Sequence, residues 1–160
     1  MGLDMYLEAE LFISNYPGGQ NAHLQGPIET LLILNGINAR GLRGMTFEVG
    51  YWRKANAIHN WFVQNIQDGE DNCQRSYVGK EDLARLRHEC NVVLTRHKTG
   101  EEIDEELEGV DLLPPTAGFF FGGTEKDEGY YNDLEQTIEI IDKVMSMDDR
   151  LFDFYYRASW

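Results

Sequence analysis

The sequence predicts an α+β fold, with about three helices on one face of a small, mainly antiparallel sheet. Three observations carry that expectation. The segment near the N-terminus alternates in part with the period of a half-buried strand, and Phe154-Tyr155-Tyr156 gives the loosely alternating C-terminal segment a strand composition. Three internal segments repeat apolar residues at three- and four-residue steps. The 160 residues read as one domain, 1–160, with neither an internal repeat nor a linker. With 42% apolar and 12% aromatic residues the chain is too hydrophobic for disorder. Its length allows roughly 70% of the unfolded surface to be buried, so no disulfide or metal staple is needed.

Taken in order, Leu3 to Ser14 places Leu3, Met5, Leu7 and Ala9 on one side and Asp4, Tyr6, Glu8 and Glu10 on the other, a strand pattern. Tyr16-Pro17-Gly18-Gly19 is a turn signal. Ile28 to Leu34 fits either a short buried strand or a helix turn. Gly36, Gly41 and Gly44 then keep the chain irregular up to a short strand at Met45–Val49. The clearest helix spans Tyr51 to Gln67, with Trp52, Ala55, Ile58, His59, Phe62 and Ile66 as its stripe and Asp68-Gly69 as its stop. A second helix covers Lys80 to His97, with Leu83, Leu86, Cys90, Val93 and Leu94 inward and Thr99-Gly100 closing it. Its acids Glu81 and Asp82 stand at the N-terminal end and its cations Arg96, His97 and Lys98 at the other, as the helix dipole favours.

Glu101 to Asp111 holds seven acids in eleven residues and reads as a solvated loop or weak helix. Phe119-Phe120-Phe121 is expected as a short buried strand and Gly122-Gly123 as a turn. Thr124 is the expected N-cap of a third helix, which ends near Met147 and turns Leu134, Ile138, Ile141 and Met145 inward. Phe152 to Trp160 closes the chain as a strand.

Charge is the strongest compositional feature. The net value is −14, which disfavours nucleic-acid binding by the surface as a whole. It is unevenly spread. Residues 1–39 carry four acids and no Lys or Arg, residues 40–98 a local +3, and residues 99–160 seventeen acids against four cations. A basic centre between acidic ends either folds into internal ion pairs or leaves one cationic pocket, lined by aromatic rings, in an anionic body. The sequence shows no secretory signal, and its longest run of large apolar residues, Leu31 to Leu34, is far short of the roughly 20 a membrane span requires, so a cytoplasmic protein with no membrane partner is expected. The two cysteines, Cys73 and Cys90, are expected to be free, although pairing is open.

The segment 51–62 concentrates the chemistry. Trp52, Arg53, Lys54, Asn56, His59 and Asn60 offer stacking faces, phosphate-pairing cations, amides and an imidazole, the groups a nucleotide site uses. The plainer reading makes Trp52, Ala55, Ile58 and Phe62 core and leaves Arg53 and Lys54 in surface ion pairs. Residues 119–124 have a strand–Gly turn–helix form, yet the phosphate-loop lysine is missing and Glu125, Asp127 and Glu128 crowd the helix start, so a capped turn is expected. Cys73, His88, Cys90 and His97 match no zinc spacing, and no nucleophile–base pair or carboxylate pair stands out. No catalytic residue, metal or cofactor is implied. The acids Asp127, Glu128, Asp133, Glu135, Glu139, Asp142, Asp148 and Asp149 form either a solvated helix surface or a face that imitates nucleic acid.

The opening Met1-Gly2-Leu3-Asp4-Met5-Tyr6-Leu7, the run from Gly50 to Phe62, the block from Leu113 to Gly122 and the ending Phe154 to Trp160 resemble an uncharacterised family of small phage, prophage and bacterial proteins. The resemblance implies a bacterial host cell and brings no catalytic residues with it. The expectation is therefore a phage- or mobile-element-encoded binding protein, a counter-defence or host-modulating factor that captures a nucleotide-like anionic ligand. The alternative is an acidic inhibitor that mimics nucleic acid toward a basic host protein.

Overall fold

The computed structural model describes residues 2–37, 42–100, 112–117 and 125–160. The expected alternation at the N-terminus becomes β1 (Asp4–Phe12), whose Met5, Leu7, Ala9 and Leu11 are buried while the residues between them are not. Next come a 3-10 turn (Ala22–Leu24), α1 (Gln25–Leu34), β2 (Gly44–Arg53) and α2 (Asn56–Ile66). The rest is β3 (Ser76–Tyr77), α3 (Lys80–Thr99), α4 (Glu128–Met145) and β4 (Phe152–Ser159). The four strands form one sheet in the order β2-β1-β4-β3, and every pairing is antiparallel. The fold is α+β.

Register explains why one face is dry. Met5 sits opposite Trp52 and Ala158, Leu7 opposite Gly50 and Tyr156, and Ala9 opposite Phe154, so the apolar residues of three strands share a face. Helices α2, α3 and α4 cover that face, and their Phe62, Leu86 and Ile141 join the same core cluster. Phe62 stacks on Tyr156 at 3.9 Å between centroids. A bulge between Leu7 and Glu8 leaves Val49 as the extra residue of β2, just before Gly50. Gly50 has no room for a side chain: a Cβ there would meet Ile140 Cγ2 at 2.4 Å, so glycine sets how closely α4 lies on the sheet.

Two expectations about helices need correction. The chain does not enter a helix at Tyr51; residues 51–53 finish β2, and α2 begins only at Asn56. Between them Lys54 takes φ 62°, a left-handed conformation costly for a residue with a Cβ. The turn is held by Lys54 N–H donating to Leu3 O (2.8 Å) and Asn56 N–H to Lys54 O (2.9 Å). The third helix, α4, is capped by Asp127, whose carboxylate accepts from Tyr130 N–H at 2.9 Å, and Thr124 stands outside the described residues. In α4, Leu134 and Ile141 are buried as expected, Ile138 is half-buried, and Met145 is exposed. Thr137, Ile140 and Val144 take the inward positions instead, because the stripe is turned slightly about the helix axis.

α3 follows the expectation closely: Leu83, Leu86, Cys90, Val93 and Leu94 are its buried residues, and Gly100 ends it in the left-handed region at φ 70°. The segment 28–34, whose pattern fits both strand and helix, is helical, and none of its residues is buried. The strand expected at 119–121, its following turn and the acidic stretch 101–111 lie outside the described residues. Both cysteines are free: Cys73 is exposed, and Cys90 is buried, which pushes its thiol up to about 12. No helix among the described residues is long and apolar enough to cross a membrane.

Candidate functional site

Because β2 turns into α2 at Lys54 without a loop, Arg53, Lys54 and Asn56 project at one corner of the sheet. α4 begins beside that corner, and the segment 112–117 is tied to it by the Tyr130 hydroxyl, which donates to Leu113 O at 2.7 Å. Leu113 itself is buried in the core. The result is a cleft of about 280 Å³ lined by Arg53, Lys54, Asn56 and Ala57 from the turn, Pro115 and Thr116 from the tied segment, and Glu125, Asp127, Gly129, Tyr130 and Asp133 at the start of α4.

Three of the six residues expected to bind a ligand, Arg53, Lys54 and Asn56, line this cleft. Trp52 does not. As a strand residue it points into the core, its indole N–H donating to Thr137 Oγ1 at 2.9 Å and its ring lying 6.0 Å from Phe62. His59 lies elsewhere too: its Nδ1 meets the Tyr156 hydroxyl at 2.7 Å and its Nε2 meets Asp71 Oδ2 at 3.0 Å. Trp160 donates its indole N–H to the other oxygen of Asp71. This chain of bonds ties α2 and the loop after it to the C-terminal strand. Asn60 is half-buried and does not line the cleft.

Among the described residues the lining of the cleft is neither mainly aromatic nor positive. Of these residues Tyr130 supplies one aromatic ring, and two cations share the cleft with three carboxylates. Arg53 is largely exposed and only loosely held, its Nε 3.9 Å from Asp4 Oδ1, whereas Asp4 accepts a shorter bond from the Tyr51 hydroxyl. Asp133 is the unusual group. Burial and then the nearby Asp127 charge push its carboxyl up to about 6, toward neutral pH. Perturbed carboxyls in clefts are candidates for function. The sequence leaves Asp133 among eight acids of a solvated or nucleic-acid-like surface; in the fold it is half-buried, whereas Glu135 and Glu139 are exposed.

The remaining acids of α4 are partly neutralised. Asp142 pairs with Arg87 at 2.5 Å and Glu135 with Lys98 at 3.4 Å, both across the α3–α4 contact. On the sheet face opposite α2, α3 and α4, Arg75 and Arg157 both bind Glu8, at 2.7 and 2.6 Å, and Arg75 also binds Glu10. Burial alone would lift the Glu8 carboxyl, but these hydrogen bonds outweigh it and hold it below the usual range. The basic centre therefore spends much of its charge on the acidic ends. Comparison with known protein families, with curated proteins and with solved structures gave no match.

Proposed function

We propose that this chain is a small cytoplasmic binding protein, encoded by a phage or mobile element, that captures a nucleotide-like ligand in the cleft between the Lys54 turn and the start of α4. One observation carries this reading. A strained, non-glycine turn presents two cations and an amide to a cleft that also holds a half-buried carboxyl with a raised pKa. An anionic group fits against Arg53 and Lys54. Hydrogen-bond donors of a sugar or base fit against Asp133, which a purely anionic ligand would leave unmatched. A volume of about 280 Å³ falls just below the usual range of small-molecule sites, which leaves room for one nucleotide at most and not for an oligonucleotide. Two of the four segments that carry the phage resemblance, 50–62 and 113–122, contribute to the lining. A counter-defence or host-modulating role follows from that resemblance.

The alternative, an acidic inhibitor that imitates nucleic acid, has less support, since Glu135 and Asp142 are already paired with α3. Calorimetric titration with nucleoside monophosphates, cyclic nucleotides and inorganic phosphate tests the reading. A saturable signal from at least one nucleotide is expected, weakened at least tenfold in Arg53→Ala and in Lys54→Ala with an unchanged melting temperature. Flat titrations across the panel would end it.

A further inference from the structure

α1 is well specified and poorly used. Pro27 lies in its first turn, where a missing N–H costs nothing. Its end is a complete left-handed cap: Gly36 takes φ 74°, Gly36 N–H donates to Ile33 O, and Ile37 N–H donates to Leu32 O, each at 2.9 Å. Yet none of its ten residues is buried. Ile28 and Leu32 are half-buried, while Leu31 (62% exposed), Ile33 (65%) and Leu34 (79%) lie open to water. At 100° per residue those three occupy one arc of roughly 160°. Ile37 and Tyr16 extend the open apolar surface on either side of the helix in sequence. An isolated ten-residue helix is marginal in water, and one that is apolar on every side belongs in an interior.

We infer that α1 is the contact surface of a homodimer, and that a second copy of this chain covers Leu31, Ile33, Leu34, Ile37 and Tyr16. Area favours this. The five side chains leave roughly 650 Å² in water on each copy, so an interface that took in all of them would bury up to roughly 1,300 Å², the size of a specific interface. Charge favours it too. In a chain of net charge −14, residues 11–39 contain Glu29 as their one charged side chain, so copies meet here with the least repulsion. The same lack of Lys and Arg argues against an anionic membrane as the occupant, because interfacial helices carry cations on their polar face. The site is compatible with the cleft: α1 leaves the sheet at the Phe12 end of β1, whereas Arg53 pairs with Asp4 at the other end of this nine-residue strand, roughly 27 Å away.

Sedimentation velocity and light scattering of the full chain, from about 1 to 100 μM, test this. The expected species has twice the 18.4 kDa chain mass. Leu31→Glu with Leu34→Glu should return it to the monomer with circular dichroism and melting of the core retained, since neither side chain is part of the core. Should that variant misfold, hydrogen exchange of the natural chain decides instead: α1 amides should gain protection as concentration rises, while α3 amides should not. A monomer throughout this range, a dimer that persists in the double variant, or α1 protection independent of concentration would overturn the inference.

Discussion

Asp133 is a side chain whose ionisation works against the fold. Its carboxyl ordinarily titrates near 3.8 and is pushed up to about 6 in the folded chain. The folded state therefore holds the proton more tightly than the unfolded state, and ionising Asp133 costs stability. The cost is absent below about pH 4, grows between pH 4 and 6, and is full above that. With part of the group in contact with water, it amounts to on the order of 1 kcal/mol. Asp133→Asn should raise stability at pH 7.5 by about that amount and leave it unchanged near pH 4, as read from urea melts at both values. A variant less stable at pH 7.5 would mean that the carboxylate has a stabilising role. The same residue sets a binding expectation: a ligand that donates to the carboxylate binds more weakly as pH falls below about 6, and Asp133→Asn flattens that profile.

At the level of elements, legibility depends on whether a pattern is long enough to exclude its rival. α3 runs for 20 residues, and its five buried positions follow from periodicity alone. In β1 the alternation of Leu3, Met5, Leu7 and Ala9 with Asp4, Tyr6, Glu8 and Glu10 points to the strand, although its glutamates and alanine are poor strand formers. Residues 51–53 mislead because Trp52 satisfies two patterns at once: three residues before Ala55 on a helix, and two after Gly50 on a strand. The break between them is at Lys54, whose left-handed φ has no glycine or asparagine to announce it. The cleft is half legible for a related reason. Arg53, Lys54 and Asn56 are neighbours in sequence, but Thr116, Asp127 and Asp133 reach them only through the docking of α4 on the sheet. That docking makes Gly50→Ala informative. The added methyl would press on Ile140 Cγ2 and on Leu7, both in the core, and overpacking of this kind costs about 1–3 kcal/mol. Chemical denaturation should show the loss. An unchanged midpoint would mean that α4 can lift from β2 freely.

For the molecule as a whole, the balance lies between short ion pairs and long-range repulsion. The pairs are local: Arg87–Asp142 and Lys98–Glu135 join α3 to α4, and Arg75 and Arg157 converge on Glu8. Most are exposed to some degree, and exposed pairs contribute about 0–1 kcal/mol each. The repulsion is collective, since the pairs leave the net charge of −14 untouched, and residues 99–160 alone hold −13 of it. Salt acts differently on the two. Charges in contact at 2.5–3.4 Å are separated by much less than the Debye length of about 8 Å at physiological ionic strength, whereas the summed repulsion of the excess acids also acts over longer distances, beyond cross-strand neighbours such as Glu8 and Glu48 or Glu10 and Asp153. Added salt therefore removes more repulsion than attraction. The melting temperature should rise by a few degrees between about 10 mM and 0.5 M sodium chloride, and the rise should shrink as pH approaches the isoelectric point near 4.5. A melting temperature that falls with salt would show instead that the pairs on Glu8 and across α3–α4 dominate the stability of the fold. In that case Glu8→Gln, which leaves two guanidinium groups short of a carboxylate, should be the most damaging of the single charge removals.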